Sequence, residues 1–257
     1  VFRKFSAWII VPCYNEEKRL SIKLFTEFLA SHQDIGICFV NDGSHDRTIR
    51  VLENIQKEFP TQVALLNSRK NRGKAEAVRS GFFYVSQLSY SQYIGFWDAD
   101  LATPLSEIED FIQILNSNKN IIIASGSRIS RMGALIERTF LRNLEGKIFA
   151  ILSSFVLGLK FRDTQCGAKV IERETALKIF TAPFISRWCF DVEIFARLRN
   201  LLGQTRVKET IYEVPLQQWK EIPESKIRFK DSMKMILDLG RIFIHYRGRS
   251  RHETFYL

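Results

Sequence analysis

Four cysteines among 257 residues, at positions 13, 38, 166 and 189, are too few and too dispersed to staple a fold, and none forms the close pair of a zinc site. They are expected to be reduced thiols in a cytoplasmic compartment. Missing too is any run of about 18 uninterrupted apolar residues, the least a membrane-spanning helix needs. The longest candidate, IFAILSSFVLGLKF at 148–161, is broken by Ser153, Ser154, Gly158 and Lys160, and reads either as a core helix or as one lying in a membrane interface. The N-terminal apolar stretch AWIIV runs directly into a polar motif, so no signal peptide is expected. Linkers, internal repeats and low-complexity stretches are also absent. A chain with 46% apolar residues can nevertheless bury a full core. One domain is expected over 1–230, followed by a basic amphipathic helix and tail at 231–257.

Acidic residues are in deficit, 28 against 38 Lys and Arg, and the deficit is local. Residues 1–125 carry 14 of each sign, whereas 126–257 carry 24 basic and 14 acidic. A neutral half followed by a basic half suggests one part for a metal-compensated ligand and another that faces an anionic surface such as phospholipid headgroups. The plainer reading is a basic solvated face. The C-terminal arginines 241, 247, 249 and 251 raise nucleic acid as a partner, but no aromatic RNA-binding signature accompanies them, so none is expected.

The first half alternates short β-branched runs at 7–11, 36–40, 62–67, 93–97 and 121–125 with helical periodicity. Leu20, Leu24, Phe25, Phe28 and Leu29 make one helix face; Ile49, Leu52, Ile55 and Phe59 a second; Leu105, Ile108, Phe111, Ile112 and Leu115 a third. This βαβα order implies an α/β fold, a mostly parallel sheet covered by helices on both faces. Helices are also expected at 138–159, 174–180, 191–202 and 229–246. The last combines apolar Met233, Ile236, Leu237 and Phe243 with Arg228, Lys230, Lys234 and Arg241, a pattern that suits either a membrane surface or the core.

Ligands of such sheets bind beyond the carboxyl ends of the strands. Polar clusters follow the apolar runs at those points: Pro12-Cys13-Tyr14-Asn15-Glu16-Glu17, Asn41-Asp42-Gly43-Ser44 and Asp98-Ala99-Asp100. Asp98 and Asp100, at i and i+2, share one side of an extended chain and offer hard oxygens to Mg²⁺ or Mn²⁺ on a phosphate. Asp42 could accept hydrogen bonds from a base or ribose, although Ser44 or Asp46 could equally cap the following helix. The segment Asn71-Arg72-Gly73-Lys74 places a glycine turn and a lysine before a helix, suited to a diphosphate.

In order and spacing, VPCYNEE (11–17), NDGSHDRT (41–48), NRGKA (71–75) and DADLATP (98–104) resemble the family 2 glycosyltransferases. Gly126-Ser127-Arg128, Arg142-Asn143, DTQCGAK (163–169), FDVE (190–193) and Trp219-Lys220-Glu221 with Ser225-Lys226 are similar to the branch making dolichyl- or polyprenyl-phosphate sugars, the dolichyl-phosphate β-glucosyltransferases among them. The resemblance covers roughly 7–230 and implies a GT-A, Rossmann-like fold. It implies a nucleotide-sugar site from Pro12, Tyr14, Glu16, Asp42, Lys74 and Asp98, a metal held by Asp98 and chiefly Asp100, and an acceptor phosphate held by Arg128 and Arg142. Ala102 stands where some relatives carry a further oxygen ligand, Gln. Asp191 would orient the acceptor or support Arg128, or simply cap a helix.

The expected reaction is attack of a polyprenyl phosphate on the anomeric carbon of a nucleotide sugar, with UDP-glucose favoured over GDP-mannose, at the cytoplasmic face of a membrane by a peripheral or monotopic protein. A phosphate nucleophile is already ionised at neutral pH and needs no general base. The alternative, a saccharide or protein hydroxyl acceptor, requires a carboxylate base, for which Asp191 is the candidate.

Overall fold

The computed structural model describes residues 2–137, 139–221 and 229–247, with backbone alone at 140–142 and 229–233. The first half alternates as its periodicity requires: β1 (Phe5–Cys13), α1 (Ile22–Ser31), β2 (Ile35–Asp42), α2 (Thr48–Glu58), β3 (Val63–Ser68), α3 (Lys74–Leu88), β4 (Ser91–Trp97), α4 (Glu107–Ser117) and β5 (Ile123–Ser127). Every residue of β2 is buried, the mark of a strand covered on both faces. The second half adds β6 (Leu135–Glu137), α5 (Phe140–Leu157), β7 (Ala168–Glu172), α6 (Arg173–Ile179), α7 (Phe190–Leu202), β8 (Ile211–Pro215), β9 (Gln218–Lys220) and α8 (Phe229–Arg247).

Seven strands form one sheet in the order β3-β2-β1-β4-β7-β5-β8, and β6 pairs with β9 separately. All pairs in the large sheet are parallel except those of β7, which runs antiparallel between β4 and β5 with Lys169 opposite both Phe96 and Ser125. This reversal brings the start of β7 to the same sheet edge as the carboxyl ends of β1, β2 and β4. The segment 163–167 therefore joins the three polar clusters there. Side chains alternate between two cores, Trp8, Ile10 and Phe96 packing toward α3, α6 and α7, and Ile9, Val11 and Trp97 toward α1, α2 and α4.

Two helix faces differ from expectation. Leu24 is half exposed on α1, whose buried residues are Phe25, Phe28 and Leu29. On α8 the core face is Met235, Leu239, Ile242 and Tyr246, while Ile236 and Leu237 point outward and the side chain of Met233 lies outside the described residues. The helix is apolar on two sides, so composition alone did not say which side meets the protein. The apolar run at 148–161 likewise divides. Leu157 and Leu159 are buried, whereas Ile148, Ile151, Leu152 and Phe155 are exposed. Gly158, at φ 61°, ends α5 in the left-handed conformation that favours glycine.

Candidate active site

The turn after β1 and the turn after β2 are knitted together. Asn15 takes φ 50° and donates its N–H to Ser44 Oγ (3.0 Å), His45 N–H donates to Asn15 Oδ1 (2.9 Å), and Glu16 N–H donates to Thr48 Oγ1 (2.8 Å). Asp46 accepts from the Thr48 hydroxyl and the N–H groups of Thr48 and Glu17; burial would raise its carboxyl, but these bonds hold it below the usual range. Asp46 is thus spent on the first N–H of α2 and on the neighbouring turn. Asp42 is not. Its two oxygens accept the N–H groups of Arg72 (2.9 Å) and Gly73 (2.8 Å), and Gly43, at φ 67°, lies so near the backbone of Lys70 and Asn71 that a Cβ would sit 2.6 Å from either. The Asn41-Asp42-Gly43 turn thereby shapes the loop that opens α3. An ionised carboxylate retains lone pairs beyond those two bonds for a ribose or base.

That loop delivers Lys74, whose Nζ lies 2.5 Å from Asp98 Oδ1 and 5.9 Å from the centre of the Phe190 ring. Burial works to discharge the ammonium, but Asp98, Asp191 and Asp100 outweigh it and raise its pKa. Asp100 accepts from Arg19 Nη2 (2.9 Å) and Ala102 N–H (3.2 Å). Burial first, and then the adjacent charge of Asp98, push its carboxyl upward. Leu101, with Asn15 the second non-glycine residue at positive φ among those described, turns the chain sharply after the acidic pair. Two hard carboxylates, each drawn to a cationic side chain, fit Mg²⁺ or Mn²⁺. Among the described residues no group of three or more His, Cys, Asp or Glu is placed to hold a metal ion, so other ligands would come from phosphate oxygens.

Gly167, in the segment brought in by β7, approaches Asp98 so closely that any Cβ would overlap its carboxylate. Two residues on, Lys169 is fully buried and donates to Asp191 Oδ1 (2.6 Å) and to the carbonyls of Cys166 (2.7 Å) and Thr164 (3.2 Å), between the rings of Phe96 and Phe195. Asp191 is therefore one half of a buried ion pair at the start of α7. Lys169 was not among the expected site residues. A lysine inside the otherwise apolar run AKVI at 168–171 is the signal that could have found it, since a buried ammonium requires a carboxylate partner.

Arg128 follows β5 and is engaged by Asp163 through Nε (2.6 Å) and Nη2 (2.8 Å), with its own N–H on the same carboxylate. Although burial raises it, the Arg128 guanidinium holds the Asp163 carboxyl at about 2. Trp219 lies under the guanidinium, 5.3 Å away. Among the described residues Nη1 has no carboxylate partner, which leaves it for another anion. Arg142 is on α5, its side chain outside the described residues, as are Ser225 and Lys226. Pro12, Tyr14 and Glu16 line the edge after β1, Glu16 buried beside Arg19 (3.7 Å) and Tyr14 edge-on to His45. The structure thus gathers Pro12, Tyr14, Glu16, Asp42, Lys74, Asp98, Asp100 and Asp191 at one sheet edge.

The sequence matches the family described as Glycosyl transferase family 2 over residues 8–180. A dolichyl-phosphate beta-glucosyltransferase of Trichomonas vaginalis is 36% identical over 252 residues, which cover 93% of this chain and 71% of that protein. The dolichyl-phosphate beta-glucosyltransferase of Homo sapiens is 34% identical over 253 residues, 93% of this chain and 75% of its own length. Among solved structures, glucosyl-3-phosphoglycerate synthase from Mycobacterium tuberculosis, in complex with Mn²⁺, UDP-glucose and phosphoglyceric acid, shares the fold with a TM-score of 0.65 at 14% identity, over 95% of this chain and 80% of that one.

Proposed function

Because the chain belongs to glycosyl transferase family 2 and is therefore a glycosyltransferase, we propose that it moves glucose from UDP-glucose to dolichyl phosphate or a related polyprenyl phosphate, inverting the anomeric centre. The observation that carries this reading is the meeting of Asp98, Asp100 and Lys74 beside the loop held by Asp42, in a chain similar to dolichyl-phosphate beta-glucosyltransferases over 93% of its length.

In this reading an oxygen of the acceptor phosphate forms a bond to the anomeric carbon while the bond from that carbon to the UDP oxygen breaks. The electron pair leaves with UDP. The second pKa of a phosphate monoester lies near ~6, so the nucleophile needs no proton removed at neutral pH. Lys74 takes up charge on the leaving diphosphate, and Arg128 Nη1 with Arg142 would align the attacking phosphate. Asp98 and Asp100 would hold Mg²⁺ or Mn²⁺, which when bound supplies further charge stabilisation to the diphosphate.

The engagement of Asp191 by Lys169 favours a phosphate over a hydroxyl acceptor. The Asp191 Oδ1 that would have to receive a hydroxyl proton already accepts a hydrogen bond from the fully buried Lys169 ammonium at 2.6 Å. A membrane-borne acceptor also suits the surface. No helix among the described residues is long and apolar enough to cross a membrane. Instead α5 exposes Leu144, Ile148, Ile151 and Phe155, and α8 exposes Ile236, Leu237 and Ile244, the two helices joined by the stacked rings of Phe155 and Phe243 (5.9 Å). Exposed Lys147, Lys160, Arg241 and Arg247 accompany them. An apolar face with basic residues around it fits the headgroup boundary of an anionic leaflet, which we assign to the cytoplasmic side.

The test is transfer of labelled glucose from UDP-glucose, with GDP-mannose in parallel, into an organic-extractable product in the presence of polyprenyl phosphate and Mn²⁺ or Mg²⁺. Lipid-linked label from UDP-glucose that disappears in Asp100→Ala is expected. Metal-dependent UDP-glucose binding with no lipid-linked label would sink the phosphate-acceptor reading.

A further inference from the structure

The segment between α6 and α7 carries an arginine that none of the motifs above absorbs. Arg187 is exposed, and among the described residues it pairs with no carboxylate. Arg19 is paired with Asp100, and Arg128 with Asp163 through Nε and Nη2. The position of Arg187 is set on two sides. A Cβ built on Gly73 would meet Cγ, Cδ and Nε of Arg187 at 3.3 Å, so the side chain lies along the loop that opens α3, next to Lys74. Behind it, Ser186 Oγ accepts the N–H groups of Trp188 (3.2 Å) and Cys189 (2.8 Å) and donates to Asp238 of α8 (2.6 Å). Cys189 Sγ donates to the Met235 carbonyl of the same helix (3.6 Å).

An unpaired guanidinium on a turn fixed in this way, beside a lysine already surrounded by three carboxylates, is placed for an anion that arrives with the substrate. We propose that Arg187 is a phosphate-binding residue for the diphosphate of the nucleotide-sugar donor, working with Lys74. The planar fork binds two phosphate oxygens at once, which a lysine ammonium does not. Glycine at 73 is required because a side chain there would press on the arginine stem and because its φ of 92° lies in the left-handed region. Asp238 gives α8 a part in this site, as the carboxylate that fixes the turn from behind.

The proposal rests on the donor reading above, so its test uses one probe that does not. Calorimetry would measure UDP with Mn²⁺, and separately inorganic pyrophosphate, on wild type, R187M and R187K. The KM for dolichyl phosphate at saturating UDP-glucose would be measured in parallel. Loss of a charge-assisted contact predicts that R187M weakens UDP and pyrophosphate about tenfold, that R187K recovers part of the loss, and that the dolichyl phosphate KM stays within about twofold. Unchanged affinity for both probes would overturn the proposal. So would an effect confined to the dolichyl phosphate KM, which would move Arg187 to the acceptor, or equal losses of melting temperature in R187M and R187K, which would make it a packing residue. Arg187-dependent binding of pyrophosphate without binding of UDP would uphold the residue and reject the donor.

Discussion

Lys169 and Asp191 illustrate how one residue's neighbours change the meaning of a test. Asp191→Asn looks like the direct way to ask whether a carboxylate base is needed, but it also strands a fully buried ammonium whose Nζ was 2.6 Å from the lost charge. Removing one partner of a buried pair costs about 3–5 kcal/mol. D191N is therefore expected to lower unfolding free energy by that order in urea melts, and K169M/D191N by much less; only the double variant then compares the two acceptor chemistries cleanly. Gly167 is the second residue of this kind. Gly167→Ala would force its methyl into the Asp98 carboxylate, so Mn²⁺-dependent UDP binding should fall at least about tenfold by calorimetry, with a melting temperature near that of wild type if the loop yields. Neither neighbour was visible in sequence. Gly167 and Asp98 stand far apart in the chain, and Lys169 and Asp191 are separated by an entire helix.

At the scale of elements, α5 and α8 each have one apolar side in the core and another in solvent, joined at Phe155 and Phe243. Polar substitution on the outer side removes no core contact. I148S/I151S and L237S/I244S are expected to retain wild-type melting temperatures while losing sedimentation with liposomes containing anionic lipid; retained binding would separate this face from the membrane. The periodicity of both helices could be read from sequence, but not the division of their apolar residues. Met235, Leu239, Ile242 and Tyr246 became the core face of α8 only because α5 and α7 lie against them. β7 was missed for a related reason. Its five residues include Lys169 and Glu172, and a short run with two charges does not resemble a buried strand until the carboxylate facing the lysine is known.

One part of the whole molecule's response to acid lies between α5 and β7, beside the ends of β5 and β8. Asp163 is paired with Arg128, and Glu213 of β8 accepts the N–H groups of Arg162 and Asp163. The folded-state pKa of Asp163, about 2 against an ordinary 3.8, is depressed. Its contribution is therefore fully present above the unfolded value and is lost as pH falls from about 4 to about 2; the shift corresponds to about 2 kcal/mol. Buried Glu107 and half-buried Glu213 and Asp100, whose carboxyls desolvation raises, act in the opposite direction. The difference between wild type and D163N isolates the Asp163 share: urea unfolding should show the two stability curves converging as pH drops through this window, and parallel curves would contradict the depressed value.

The sequence by itself determined the alternation of strands and helices, and so the sheet edge at which a ligand must bind, because periodicity and the residues after each strand are local properties of the chain. It also placed Asp42, Lys74, Asp98 and Asp100 at that edge, since each follows a strand or opens a helix. What only the tertiary structure decided is what each side chain does with its neighbours: Asp42 holds the loop of Lys74, Arg128 is engaged by Asp163, and Arg187 lies over Gly73 with no carboxylate partner among the described residues. Those outcomes depend on an antiparallel β7 between two parallel strands and on a turn held by α8. Ion pairing and hydrogen bonding act over a few ångströms, and residues distant along the chain come within that range only after the sheet has been ordered.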